Sequence, residues 1–153
     1  MFAYQLKRVI FSLSLLHCAV SSAGSLANQG EGSMYDIRVI IGGQIINASL
    51  KDSSATRGFL AQLPLDLELK DYSGTEKIAY LPRKLDTSDA PDGIDPVVGD
   101  VTYYAPWGNL AIFYEDFGYS PGLIKLGTIS SGLENLRYSG AKSARIELVR
   151  SGE

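Results

Sequence analysis

Cysteine and histidine are almost missing from this sequence. The chain has one of each in 153 residues, His17 and Cys18, and both lie in an N-terminal stretch with the marks of an export signal. Lys7 and Arg8 precede an apolar run from Val9 to Val20. Small residues follow at Ser21-Ser22-Ala23 and Ser25-Leu26-Ala27, completing the three-part pattern of a secretory signal peptide. About a dozen apolar residues are too few for an ordinary membrane span. His17, standing just before Cys18, is too large for a lipoprotein signal, which wants a small side chain there. Cleavage after Ala23 or Ala27 removes both residues. The mature chain is then expected to lack Ser-His-Asp and Cys-His catalysis, Cys/His zinc sites, disulfides and thiol redox chemistry together. An exported domain without disulfides is held by its core alone.

Positive charge is also scarce. Of 14 basic residues, 2 leave with the signal, whereas all 17 acidic residues stay, so the net charge moves from -3 to 12 minus 17, or -5. Nucleic acid and anionic membrane surfaces both call for a basic face, so neither is expected as a partner once the signal is removed. About 125 residues remain from Asn28 onward, enough for one domain with a single core. The expected organisation is a signal and cleavage region over 1–27, a flexible leader over 28–33 and one barrel domain over 34–150.

What is abundant is short, alternating, β-branched and aromatic sequence. Ile37, Val39 and Ile41 alternate with Asp36 and Arg38. After Gly42-Gly43 a second strand runs from Gln44 to Leu50, so the pair reads as a hairpin. Asp52-Ser53-Ser54 supplies cap chemistry for a short helix over Ala55 to Leu63, ended by Pro64. Leu65, Leu67 and Leu69 alternate with Asp66, Glu68 and Lys70, and Glu76 to Leu81 follows the turn at Tyr72-Ser73-Gly74. A long loop from Leu85 to Gly99 contains Pro91 and Pro96. It leads to two apolar strands, Val101 to Ala105 and Leu110 to Glu115, joined at Pro106-Trp107-Gly108-Asn109. Ile124 to Ile129 is the seventh strand. Ser131 and Glu134 have capping-box spacing for a second short helix reaching Tyr138, and Ala144, Ile146 and Leu148 alternate in the last strand. Eight strands and two short helices with hairpin-length links predict a mainly β fold, an antiparallel sheet closed into a barrel. A two-sheet sandwich is the alternative with a similar strand pattern.

Few residues carry candidate chemistry. Asp86, Asp89, Asp92 and Asp95 crowd one loop, but their spacing is not that of an EF-hand, and Asp before Pro or Gly serves ordinary turns; no metal or cofactor is assigned. Asp100 with Glu115 or Asp116 is a carboxylate pair suited to glycosidic chemistry only where burial separates their acidities. The richer feature is aromatic. Tyr103 and Tyr104 point to opposite faces, as do Phe113 and Tyr114, so one member of each pair is expected in the core. The others, with Trp107 at the turn, can form a binding surface. The candidate ligand-binding set is Tyr80, Arg83, Tyr104, Trp107 and Phe113, and Arg83 and Arg57 are the candidate cationic residues and the catalytic candidates of an isomerase-type site.

IRVIIGGQ at 37–44, YLPRKL at 80–85 and GDVTYYAPWGNLAIFYEDF at 99–117 resemble the small bacterial cyclophilin-like fold family across nearly all of Tyr35 to Val149. The resemblance implies a closed eight-stranded barrel capped by helices. In true cyclophilins an arginine beside an apolar groove stabilises the twisted prolyl amide. This sequence has no match to their Phe-His-Arg or Gln-Gly-Gly-Asp-Phe segments, so no catalytic residue carries over. Some relatives stand beside flavodoxin-like redox domains, which implies a redox partner protein. The sequence thus points to an exported module binding a small molecule or peptide. The alternative is a prolyl isomerase-type enzyme using an arginine, and a carbohydrate-active enzyme is a third reading.

The export reading has a direct check. The protein isolated from its own host is expected to begin near Gly24 or Asn28 and to contain no thiol. Intact mass of a soluble cytoplasmic chain beginning at Met1 would overturn it.

Overall fold

In a computed structural model, residues 32–149 are described; the signal region and most of the leader lie outside them. Ten strands form, β1 (Met34–Ile41), β2 (Gln44–Lys51), β3 (Leu65–Tyr72), β4 (Glu76–Tyr80), β5 (Gly93–Ile94), β6 (Asp100–Tyr104), β7 (Asn109–Phe113), β8 (Ser120–Pro121), β9 (Leu123–Ser131) and β10 (Ala141–Leu148). Eight close into an antiparallel barrel in the order β1-β10-β3-β4-β7-β6-β9-β2, with β2 pairing back to β1. The two-residue strands β5 and β8 form a separate ribbon. These findings decide for the barrel over the sandwich. β1 and β10 run side by side with Ile37 opposite Leu148.

Alternation puts one apolar file of each strand inside the barrel. Ile37, Val39, Ile41, Ile46, Leu50, Leu69, Leu110, Ile112, Leu126 and Ile146 are all at most 3% exposed. At about 25 cal/mol per Å² this non-directional burial is the main stabilising contribution, there being no crosslink to supply another. Closure requires β9 to pass very near its neighbours. Gly127 stands opposite both Leu50 and Val101, and a Cβ there would lie 2.1 Å from the Ser49 carbonyl oxygen, so no side chain fits.

The helices differ from expectation. Helix α1 spans Ser54–Leu60 rather than reaching Leu63. Ser53 is its N-cap, accepting from the Thr56 amide, and Ala55, Thr56 and Phe59 are buried. The capping box at Ser131 does not form. Ser131 is still in β9, its hydroxyl accepts from Asn47 Nδ2 at 2.9 Å, and Gly132 adopts φ 82 with no side-chain cap. A single 3-10 turn, Leu133–Leu136, takes the helix's place and buries Leu136. Leu148, expected in the core file, is 40% exposed at the end of β10.

One end of the barrel contains a charge. Lys77 lies between outward-facing Glu76 and Ile78 on β4, and its side chain is wholly buried. Its ammonium is 2.6 Å from Asp71 Oδ1, donates to the Tyr138 carbonyl, and stands 3.9 Å from the Tyr138 ring centroid and 5.0 Å from that of Tyr114. The Tyr114 hydroxyl also donates to Asp71. Hydrogen bonds from Lys77 and Tyr114 hold Asp71 below the usual carboxylate range. Burial, and then the bond to Asp71, push Tyr114 up to about 12. A lysine this deep is tolerable only because every direction around its ammonium is answered by a partner.

Removing one half of that pair should cost far more than removing the charge. Asp71→Asn is expected to lose about 3–5 kcal/mol in urea unfolding at neutral pH, because it strands Lys77, while the double variant Asp71→Asn with Lys77→Met, which takes away the buried charge as well, should recover most of that loss. The parent's Asp71 contribution should be fully present above pH ~4 and vanish as pH falls through its lowered pKa.

Candidate functional site

Strand β7 is buried along its whole length. Leu110 and Ile112 face the barrel interior, so Asn109, Ala111 and Phe113 face outward and should meet water. Instead Ala111 and Phe113 lie in a second apolar cluster outside the barrel, with Ile78 and Leu123 and with Ile94 and Tyr104 packed against it. This cluster is the floor of an open groove of about 280 Å³.

The walls come from three places. The β3–β4 turn supplies Tyr72, Ser73, Thr75 and Glu76; the segment after β7 supplies Phe117, Tyr119, Ser120 and Pro121; the β6–β7 turn supplies Trp107. Trp107 meets Tyr72 at 5.6 Å and Tyr104 at 5.4 Å between ring centroids, both edge to face, the arrangement aromatic quadrupoles favour. Gly122 allows the far wall to close. It has φ 77, and a Cβ there would lie 2.8 Å from Pro106 Cδ. Tyr72, Trp107, Phe117 and Tyr119 are 40–56% exposed, so four large aromatic rings stand open around one depression.

The polar groups of the groove are few. Glu76 is half-buried and accepts a hydrogen bond from the Thr75 hydroxyl, and its pKa is raised above the ordinary carboxylate value chiefly by that burial, with Asp71 adding to the effect. Asn109 is 1% exposed; its Nδ2 donates to the Leu110 carbonyl, but its Oδ1 has no protein partner. Among the described residues no lysine or arginine lines the groove.

Of the sequence candidates, Tyr104, Trp107 and Phe113 come together here. Tyr80, Arg83 and Arg57 do not. Tyr80 is exposed further along the outer face, beside Leu67 and Lys70. Arg83 donates to the Ala61 carbonyl at 3.1 Å, and Arg57 is paired with Asp52 at 2.7 Å, so both are held around α1. Phe113 and Tyr114 were expected to divide between core and surface, yet both are buried, because β7 is covered on both sides. Asp100, Glu115 and Asp116 are each engaged by other groups. Asp100 is paired with Lys125 at 2.7 Å and accepts from the Val97 amide, Asp116 accepts from the Val98 amide, and Glu115 pairs with Arg137. In the acidic loop, Asp86 and Asp89 accept from the Ser88 and Ser54 amides. Among the described residues no cluster of three or more His, Cys, Asp or Glu could hold a metal ion.

A closed eight-stranded barrel with an apolar groove on its outer face defines the class. The chain belongs to the cyclophilin-like family, whose model it matches over residues 39–147. The solution structure of a hypothetical protein from Archaeoglobus fulgidus is similar, with a TM-score of 0.55 and 16% identity, covering 79% of this chain and 99% of that one. It shows the shared fold. No curated protein matches the chain by sequence.

The raised Glu76 pKa carries a sign that can be measured. A carboxylate whose folded value lies above its unfolded one destabilises the native state at pH above both values and is harmless below both. Glu76→Gln keeps the acceptor for Thr75, so it should stabilise the fold at pH 7, with the gain shrinking to nothing below pH ~4.5. Urea midpoints at the two pH values check this, and a gain that stays constant with pH would contradict it.

Proposed function

We propose that this cyclophilin-like domain is an exported, noncatalytic binding module whose ligand seats in the aromatic groove. One observation carries the reading: Tyr72, Trp107, Phe117 and Tyr119 stand open around a floor that is itself apolar. Aromatic side chains give large contact area at low entropy cost and dominate binding hot spots. A soluble domain exposes so many together chiefly where a partner will cover them. The export element rests on the N-terminal charge, apolar and small-residue pattern.

The isomerase alternative needs a cation at the groove to polarise the prolyl amide. Arg57 and Arg83 are both engaged around α1, and the groove lining has neither lysine nor arginine, so that reading gains no support. The carbohydrate reading needs two free carboxylates facing one cavity, and its three candidates are each bonded elsewhere.

A screen of small molecules and proline-containing peptides, read by the emission of Trp107, should find ligands. In calorimetry, Trp107→Ala is expected to weaken each of them at least tenfold. The same variant should cost about 1–2 kcal/mol in stability, since Trp107 is 46% exposed, against about 3–5 for a fully buried ring. Turnover of a proline peptide in a protease-coupled assay, or hits indifferent to Trp107, would sink the binding-module reading.

A further inference from the structure

The groove's polar atoms point to one kind of occupant. Among the described residues that line it, the only ionisable acid or base apart from the tyrosine hydroxyls is Glu76, and Glu76 is an acceptor. Register places Glu76 beside Tyr72 on β3 and Phe113 on β7, so this carboxylate is set among aromatic rings. A cation there meets an opposite charge and ring faces together, the combination that aromatic sites use to hold organic ammonium groups. An anion at the same place would meet repulsion with no basic side chain to offset it.

Asn109 supplies a second, independent indication. It lies on the groove face of β7 with Ala111 and Phe113, is 1% exposed, and keeps an unpartnered acceptor, Oδ1. A buried acceptor without a donor costs about 1–3 kcal/mol, so a ligand N–H or O–H arriving there recovers that loss. Asn109 and the residue opposite Glu76, Phe113, are four positions apart on one strand, or about 13 Å. A hydrogen bond of about 2.9 Å at each end leaves room between them for an aromatic ring and a short chain, lying along Trp107.

Building on the binding-module reading, we propose that the groove binds an aromatic amine: a protonated ammonium at Glu76, a ring against Trp107, and a hydrogen-bond donor at the far end on Asn109 Oδ1. Burial raises the Glu76 pKa, which fits a carboxylate whose charge is answered when the ammonium arrives.

Three probes separate the parts of this assignment: tyramine, which has both ends; 2-phenylethylamine, which lacks the distal hydroxyl; and 3-(4-hydroxyphenyl)propionate, which exchanges ammonium for carboxylate. Backbone amide shifts at Tyr72–Ile78 and Tyr104–Phe113 report binding without relying on any one side chain. Tyramine should bind best, 2-phenylethylamine several-fold more weakly, and the carboxylate at least tenfold more weakly than tyramine. Glu76→Gln should reduce tyramine affinity at least tenfold while leaving the carboxylate's no weaker. Equal or tighter binding of the carboxylate, or tyramine binding indifferent to Glu76→Gln, would overturn the assignment. So would the absence of tyramine-induced shifts. If screen ligands sensitive to Trp107→Ala exist in that case, the groove remains a binding site and only its preference for amines falls.

Discussion

Everything distinctive about this molecule depends on one strand being dry on both faces. A barrel strand normally turns one side to the core and the other to water. In β7 the outward residues Ala111 and Phe113 are as buried as the inward Leu110 and Ile112. The second layer that covers them comes from pieces with little structure of their own: the segment 117–121, the β5–β8 ribbon and the side chain of Trp107. Such a covering cannot tile a sheet completely. Where it stops, the apolar floor continues into open space, and that remainder is the groove. The site is therefore a by-product of burying a strand twice.

The two carboxylates near the β3–β4 turn show how neighbouring positions come to opposite electrostatic fates. Asp71 is turned toward the barrel end and surrounded by donors, the Lys77 ammonium and the Tyr114 hydroxyl, so its ionised form is favoured. Glu76, on the outer face, has one hydroxyl partner and is partly withdrawn from water, so its ionised form is disfavoured. The first arrangement is complete and structural. The second is incomplete, and the incompleteness lies on the surface that other molecules reach. An unsatisfied acceptor at Asn109 on the same face repeats the pattern.

Period-two alternation made the eight barrel strands legible. Leu65, Leu67 and Leu69 or Ile37, Val39 and Ile41 can be sorted by face without knowing any neighbour. The ribbon of β5 and β8 was not legible, because two residues have no period. The Ser131–Glu134 spacing misled, since the choice between a helix cap and a bond to Asn47 is made by β2, which is 84 residues away. The site divides along the same line. Trp107, Tyr104 and Phe113 belong to one local hairpin and were found from its aromatic density. Glu76, Tyr72 and the orphaned Asn109 became part of the groove only because β4 pairs with both β3 and β7, a non-local fact. The arginines were read as cationic anchors for the aromatic surface, but their bonds to Ala61 and Asp52 hold them around α1.

The pairing of β1 with β10 has a topological reach of its own. With Ile37 opposite Leu148 and the Val149 amide donating to the Asp36 carbonyl, the first and last strands of the barrel enter and leave at one rim as neighbours. The eightfold ring of pairings is thus indifferent to where the backbone is interrupted. A short bridge from the end of β10 to the start of β1, with new termini opened in the long connection between β4 and β6, would preserve every ladder of the barrel. By the same geometry, a domain fused before β1 and one fused after β10 would be anchored at the same place on this one.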